Sequence, residues 1–168
     1  MRTYCLFLVL LLSRLNSYAQ PTALGLRIGN INSGITAKHN LTEKTAIEGI
    51  AFLFTRGDGV EFAGLYEFFY PIAGAEGLSF YAGFGAHLGI WKYHHYDYYY
   101  YKNHRDYRVD NTYALVIGPN GIVGLEYKFA NFPLNLSLDW FPFFNLLPEV
   151  DLFVDRVGIS FRYILNGK

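Results

Sequence analysis

The sequence is poor in cysteine and in charge. Its one cysteine, Cys5, lies in the first apolar segment, so the chain beyond residue 19 has neither a disulfide bond nor a thiol nucleophile. Charged residues make up 17% of the chain, and 14 basic residues are matched by 14 acidic ones. This balance offers no basic surface to a phosphate backbone, and we expect no nucleic-acid partner.

Long apolar runs are also missing. Beyond residue 20, no segment has the roughly 20 consecutive apolar residues of a membrane-spanning helix. The amino-terminal residues 4–12 are wholly apolar, but they are too few to span a bilayer. They follow Arg2 and precede Ser17-Tyr18-Ala19, an arrangement typical of a cleaved secretory signal peptide. We therefore expect residues 1–19 to be removed after export and residues 20–168 to form one domain.

Aromatic residues and glycine are abundant, with 15 Tyr, 15 Phe and 17 Gly, which favours a β-rich chain. The clearest pattern covers residues 78–91, LSFYAGFGAHLGIW, where apolar residues alternate with small or polar ones. A period of two indicates a β-strand. Its length exceeds that of most soluble strands and is sufficient to cross a bilayer at a tilt, which takes about 9–11 residues.

The same alternation predicts eight strands, separated by turn-forming residues. They cover residues 22–29, 34–40, 45–54, 61–70, 78–91, 120–129, 134–140 and 157–165. The third strand has the weakest alternation, because bulky apolar residues occupy both of its faces. Two longer links, residues 92–112 and 143–155, are expected to be loops at the same end. The pattern predicts an all-β fold, an eight-stranded antiparallel up-and-down transmembrane β-barrel.

Barrel size indicates which face lies inside. The interior of an eight-stranded barrel is just wide enough for side chains to fill, and the many aromatic residues of the apolar faces would not fit there. We therefore expect the apolar faces to point outward, and the charged faces to form an ion-pair network in a narrow lumen without an open pore. The predicted network is Arg27, Lys38, Glu48, Glu61, Glu67, His87, Glu126, Lys128, Asp139 and Arg162. The alternative is a secreted lipocalin-like barrel with the apolar faces inside, carrying an apolar ligand.

Two segments carry a family resemblance. Residues 124–142, GLEYKFANFPLNLSLDWFP, and residues 41–46, LTEKTA, together with the Ala19-Gln20 junction, resemble the small outer-membrane β-barrel proteins of Gram-negative bacteria. The architecture is also similar to the OmpA transmembrane domain and OmpX. This resemblance implies a bacterial outer-membrane location and the lipid bilayer as a partner, and we expect a monomer. It implies no defined activity.

The last strand resembles the carboxy-terminal signal that the outer-membrane assembly machinery recognises in such proteins. Arg156, Gly158, Phe161 and Tyr163 occupy its polar, glycine, apolar and aromatic positions. This resemblance implies that the assembly machinery is a partner. The chain departs from the family pattern in one respect: members usually end on a phenylalanine, whereas residues 164–168 follow the final aromatic residue here.

The predicted extracellular loop, residues 92–112, is the main candidate for a binding function. His94, His95, Asp97 and His104 could bind a transition metal, but their spacing matches no known site, and we expect neither a metal nor a cofactor. Tyr98, Tyr99 and the neighbouring tyrosines favour binding or adhesion, because tyrosine supplies a large contact area at low entropic cost. The ligand of this loop is not evident from the sequence.

Two further patterns have alternative interpretations. Arg56-Gly57-Asp58 is an integrin-type tripeptide, but Gly57-Asp58-Gly59 is also ordinary turn chemistry, which we favour. His87, together with a serine and a carboxylate, could serve a lipid-modifying hydrolase or acyltransferase, although its parity in the strand points it into the lumen. We expect a non-enzymatic protein that acts in envelope structure, binding or adhesion through its outer loops.

Overall fold

The computed structural model describes residues 21–54, 59–101 and 104–165, and within residues 93–112 it describes the backbone alone. The predicted signal peptide and the Arg56-Gly57-Asp58 turn lie outside the described residues. Among the described residues, no helix is long and apolar enough to cross a membrane.

The described chain is built from antiparallel strands. They are Thr22–Gly29 (β1), Asn32–Asn40 (β2), Thr45–Phe54 (β3), Gly59–Pro71 (β4), Leu78–Tyr101 (β5), His104–Lys128 (β6), Leu134–Trp140 (β7), Phe143–Asn145 (β8), Asp151–Phe153 (β9) and Val157–Ile164 (β10). Each of the strands β1 to β6 pairs with the strand that follows it in the chain. The barrel is closed because β7 pairs with β10 and β10 pairs with β1. The sheet is thereby closed into an eight-stranded antiparallel β-barrel, which confirms the predicted fold.

The short strands β8 and β9 are extensions of the barrel wall. After Trp140 the chain continues along β6, where Asn120 pairs with Phe143, and β9 pairs with β8 before the chain enters β10. The prediction that residues 143–155 form a plain loop is therefore wrong in part. Its short strands are too brief to show a period of two in the sequence.

The two ends of the barrel differ. At the terminal end, β1 begins beside the last residues of β10, since Ala23 pairs with Ile164. At the opposite end, called the hairpin end, β5 and β6 continue beyond their neighbours. Trp91 is the last residue of β5 that pairs with β4, yet β5 and β6 remain paired as far as Tyr101 and His104.

The parts of β5 and β6 beyond Trp91, residues 92–101 and 104–113, are called the ribbon. The prediction of a loop for residues 92–112 is wrong, because this segment is a paired β-hairpin. The sequence hid it because polar and tyrosine residues lie on both faces, so there is no apolar alternation to detect. The high strand propensity of tyrosine is consistent with the observed strand. The predicted start of the sixth strand near Asn120 is also wrong, since β6 runs through Pro119.

Pro119 is tolerated inside β6 for a local reason. The residues two positions away use their backbone groups toward β8: the Gly121 N–H donates to the Pro142 carbonyl at 2.8 Å, and the Ile117 carbonyl accepts from the Leu146 N–H at 2.8 Å. Backbone groups alternate sides along a strand, so the missing N–H of Pro119 falls on this irregular side and not on the long ladder to β5.

Apolar side chains cover the outside of the barrel. Leu26, Phe62 and Phe84, for example, are 60%, 61% and 63% exposed. The inward positions of the same strands carry charged, small or polar residues, together with buried apolar residues such as Leu65 and Ile122, a stacked Phe69–Tyr81 pair near the terminal end and a larger aromatic group near the hairpin end. The alternation of β3 is weak because the apolar Ile50 and Phe52 also point inward, and Phe52 packs edge-on against Phe141 at 5.7 Å. This orientation is the opposite of that required by a lipocalin-like barrel.

Candidate functional site

The interior near the terminal end holds the terminal-end charge cluster, formed by Lys38, Glu48, Glu67, Glu126 and Arg162. The Lys38 ammonium lies at its centre, with its Nζ atom 2.8 Å from Glu67 Oε2, 3.1 Å from Glu126 Oε2 and 3.2 Å from Glu48 Oε2. All five side chains are nearly inaccessible to solvent. Strands β2, β3, β4, β6 and β10 contribute one residue each, so the cluster ties five strands together across the lumen.

Arg162 completes this cluster with directional hydrogen bonds. Its guanidinium donates to Glu48, to the Ser137 hydroxyl at 2.8 Å and to the Thr36 hydroxyl at 3.1 Å. The Thr36 hydroxyl in turn donates to Glu48. Buried charges are stable when they are both paired and hydrogen-bonded, and this arrangement meets both conditions for Arg162 and Glu48.

A second pair lies farther toward the hairpin end. The Arg27 guanidinium binds the Asp139 carboxylate through two nitrogens, one of them at 2.6 Å, and the Tyr81 hydroxyl donates to the same carboxylate at 2.9 Å. The Arg27 guanidinium carbon also lies 5.8 Å and 5.6 Å from the ring centroids of Phe52 and Phe141. Arg27 is therefore held by one carboxylate and by two aromatic faces.

Arg156 forms the third interior group, which the sequence analysis did not place in the network. Its guanidinium donates to both oxygens of Glu61, at 2.6 Å and 3.0 Å, and lies 3.8 Å from the ring centroid of Phe143. Four more rings lie within 6 Å, those of Phe52, Phe54, Trp91 and Phe141. We call the two arginine–carboxylate pairs and these rings the hairpin-end cation–aromatic stack.

A signal for Arg156 was present in the sequence. Arg156 has the same parity as Gly158, Ser160 and Arg162, which all face the lumen in β10. It was missed because β10 begins at Val157, one residue later, and because Arg156 was interpreted as the polar position of an assembly signal. The structure does not test that signal, but it places Phe161 and Tyr163 on the outer wall, 56% and 53% exposed.

Packing against Arg27 explains why residue 158 is a glycine. A β-carbon added at this residue would lie 2.6 to 3.0 Å from the guanidinium atoms of Arg27. The absence of a side chain thus provides the space in which Arg27 binds Asp139.

The other two predicted network residues lie at the edges of these groups. The Lys128 side chain is 43% exposed at the terminal end and reaches Glu126 Oε1 at 3.8 Å, so it is a rim residue and not a buried member. His87 is buried, and its Nε2 atom hydrogen-bonds with Asn145 Oδ1 at 2.9 Å, while Nδ1 has no hydrogen-bond partner among the described residues. The hydrogen bond that His87 makes is therefore to an amide and not to a serine hydroxyl.

The predicted loop residues all lie in the ribbon. The backbone register places His94 opposite Asn111, His95 opposite Asp110, Asp97 opposite Arg108, Tyr98 opposite Tyr107, Tyr99 opposite Asp106 and His104 opposite Tyr101. Their side chains lie outside the described part of the structure. Elsewhere, among the residues whose side chains are described, no group of three or more His, Cys, Asp or Glu residues is arranged to hold a metal ion.

These features define a class of protein: a closed eight-stranded β-barrel with an apolar outer wall and a charged interior. No family model matches the chain, and no curated protein matches it in sequence. Among solved structures, it is similar to the N-terminal β-barrel domain of OprF from Pseudomonas aeruginosa, with a TM-score of 0.57 and 11% sequence identity. The match covers 86% of this chain and 98% of the OprF domain. At this identity the likeness shows the fold alone, that of the OprF β-barrel domain.

Proposed function

We propose that the chain is an integral outer-membrane β-barrel protein of a Gram-negative cell envelope, without enzymatic activity, that acts at its hairpin end by binding or adhesion. The observation that carries this proposal is the outer wall. Leu26 and Ile35, which are neighbours in register on β1 and β2, are 60% and 63% exposed, and the same apolar face continues around the barrel. In water such a wall would be very costly, whereas a bilayer covers it.

The interior supports a structural or binding role over transport. Among the described residues, five buried carboxylates and four buried cations occupy the lumen. The terminal-end charge cluster and the hairpin-end cation–aromatic stack lie one above the other, so a solute would have to break both. This arrangement supports a barrel that is closed to porin-like flux.

The ribbon supports the assignment of binding to the hairpin end. About ten residues of each arm extend beyond the last residue paired with β4, and at about 3.3 Å per residue this is roughly 30 Å of projecting β-structure. The ribbon contains eight tyrosines, a composition that suits recognition surfaces. If the signal peptide directs export and the termini face the periplasm, the ribbon lies outside the cell.

The proposal is tested by cell fractionation and by the gel mobility of unheated and boiled protein. We expect the chain in the outer-membrane fraction and a change of mobility on boiling, because a closed membrane barrel resists detergent until it is heated. A soluble periplasmic protein without a mobility change would overturn the membrane proposal.

A substitution on the wall distinguishes membrane from water more directly. Leu26→Arg places a charge on the outer wall, and in a bilayer we expect it to cost about 2–4 kcal/mol of folding free energy, whereas a soluble barrel would tolerate it. Glu43→Lys, in the exposed link between β2 and β3, is the matched control and should have little effect. Equal effects of the two substitutions would contradict the proposal.

The non-enzymatic part of the proposal has its own test. Mass spectrometry of lipid A from cells with and without the gene should show no difference. A lipid modification that depends on the gene would favour the alternative of an outer-membrane lipid-modifying enzyme.

A further inference from the structure

The segment between β7 and β10 fills the hairpin end of the lumen. Residues 143–153, called the strap, comprise β8, β9 and the turn between them. Phe143 and Asn145 point inward and are 2% and 0% exposed, whereas Leu146 and Val150 on the turn are 50% and 71% exposed. The inward side chains of the strap therefore cover the hairpin-end cation–aromatic stack.

Few backbone hydrogen bonds hold the strap to the barrel. Strand β8 pairs with β6 where Asn120 lies opposite Phe143, and the Leu146 N–H donates to the Ile117 carbonyl at 2.8 Å. Strand β9 pairs with β8 and, among the described residues, with no other strand. Strand β7, in contrast, is paired on both of its sides, with β6 and with β10. Segments with few backbone bonds open at a lower free energy than strands paired on both sides, so we expect the strap to open before the wall.

Side chains supply further attachment. The Arg156 guanidinium carbon lies 3.8 Å from the ring centroid of Phe143, and that ring stacks on Phe153 with centroids 4.6 Å apart. The Asn145 Oδ1 atom hydrogen-bonds with His87 Nε2 at 2.9 Å. Through these contacts the strap is anchored to β5 and to the residue that precedes β10.

Closure of the strap leaves buried polar groups without hydrogen bonds. His87 Nδ1, Asn145 Nδ2 and both amide atoms of Asn120 have no hydrogen-bond partner among the described residues. The three residues are 2%, 0% and 6% exposed. A buried polar group without a hydrogen bond is disfavoured relative to the same group in water. The closed strap is thus stabilised by the aromatic stack and opposed by these polar groups, which lowers the free energy needed to open it.

We propose that the strap opens as a unit at the hairpin end while the eight-stranded barrel stays folded. When the strap is open, His87, Asn120 and Arg156 line a recess that is reached from the hairpin end. The terminal-end charge cluster lies deeper in the lumen and remains closed, so opening creates a recess and not a channel. The inference goes beyond the proposed function, because it concerns access to the lumen and not the outer wall or the ribbon.

Hydrogen exchange followed by mass spectrometry tests the opening without any substitution. The sample is the mature chain, residues 20–168, refolded in detergent, and its mobility change on boiling shows independently that the barrel is folded. The Leu146 N–H is hydrogen-bonded in the closed strap. After correction for intrinsic rates, we expect it to exchange at least about tenfold faster than the paired amides of β7. Equal rates for the strap and β7 would overturn the proposal and leave the membrane proposal standing.

A cysteine placed beneath the strap reports access to the recess. The chain beyond residue 19 has no cysteine, and Ala63, buried on β4, is the register partner of His87. Ala63→Cys therefore adds a single thiol beside His87. A small charged methanethiosulfonate reagent should modify this thiol at least about tenfold more slowly than that of Glu43→Cys, in the exposed link between β2 and β3. Equal rates would contradict closure of the recess by the strap.

Variants of the strap show whether its anchors control access. In the Ala63→Cys background, Phe143→Ala and Asn145→Ala should each increase the modification rate at least about tenfold, because each removes an anchor. Val150→Ala, in the same strap but 71% exposed, is the matched control and should change the rate by less than about twofold.

The mobility change on boiling is again measured for every variant. An unchanged modification rate in a heat-modifiable Phe143→Ala variant would overturn the proposal. If Phe143→Ala gives no heat-modifiable band, Asn145→Ala decides in the same way, because it removes only the hydrogen bond to His87.

Discussion

Buried charges are stabilised in different ways at the two ends of the barrel interior. In the terminal-end charge cluster, Lys38 is shared among three carboxylates, and Arg162 pairs with two of them, Glu48 and Glu126. In the hairpin-end cation–aromatic stack, each arginine has its own carboxylate, and aromatic rings fill the remaining space. The first arrangement is a connected network, and the second consists of separate pairs set among apolar rings.

The difference predicts how each region responds to substitution. In a shared network, the loss of one cation leaves several neighbouring carboxylates with too little positive charge between them. In a separate pair, the loss of both partners leaves an apolar space that apolar side chains can fill. Substitutions in the two regions test this contrast.

Removal of the shared cation should have the largest effect. We expect Lys38→Met to lower the free energy of unfolding by about 3–5 kcal/mol, because it removes the cation paired with Glu67 and leaves Arg162 to face Glu48 and Glu126. The measurement is urea unfolding of the refolded barrel, followed by the fraction with unheated gel mobility. Lys128→Met is the matched control: it also removes a lysine near Glu126, but from the half-exposed rim, and should cost less than about 1 kcal/mol. Similar losses in both variants would contradict a central role for Lys38.

A double substitution should separate the two kinds of interior. Arg156→Met alone should cost about 3 kcal/mol, because Glu61 is then buried without a partner. Adding Glu61→Met should recover most of this loss, since the surrounding rings favour apolar neighbours. The corresponding double variant Lys38→Met with Glu48→Met should recover little, because two other carboxylates remain. The same unfolding assay measures all four variants, and equal recovery in both double variants would show that the two regions respond alike to the loss of a charge pair.

Glycine substitutions should show which positions the stack requires. Gly158→Ala should cost about 1–3 kcal/mol, because its β-carbon would lie within 3.0 Å of the Arg27 guanidinium. Gly49→Ala is the matched control on the outer wall, where an added β-carbon meets no atom within 4 Å. That variant should be neutral or slightly stabilising. A neutral Gly158→Ala would show that Arg27 can move without loss of stability.

The smallest effect on stability is expected from removing the ribbon. Lys92 and Tyr113 are register partners, so Asn-Gly in place of residues 93–112 would close a two-residue hairpin directly above the barrel. We expect a change of less than about 1 kcal/mol in unfolding, because the residues removed pair with each other and not with β4. Failure of this variant to give a heat-modifiable band would show that the barrel depends on the ribbon.

Particular residues show where the sequence was sufficient. The parity of Lys38, Glu48 and Asp139 within their strands was enough to expect them inside, because a period of two assigns every side chain of a strand to one of two faces. The same rule was insufficient at Arg156, where the strand boundary hid the parity, and in the ribbon, where neither face is apolar. The third strand looked irregular because its inward face carries both Glu48 and the aromatic Phe52.

The sequence by itself determined the number of wall strands and the outward position of their apolar faces, because both follow from local alternation and from the small volume of an eight-stranded barrel. The tertiary structure decided which charges meet. Arg27 binds Asp139 and Arg156 binds Glu61, although 112 and 95 residues separate the partners. These contacts depend on barrel closure and strand register, which place residues of distant strands at the same height along the barrel axis. No local pattern in the sequence encodes that height.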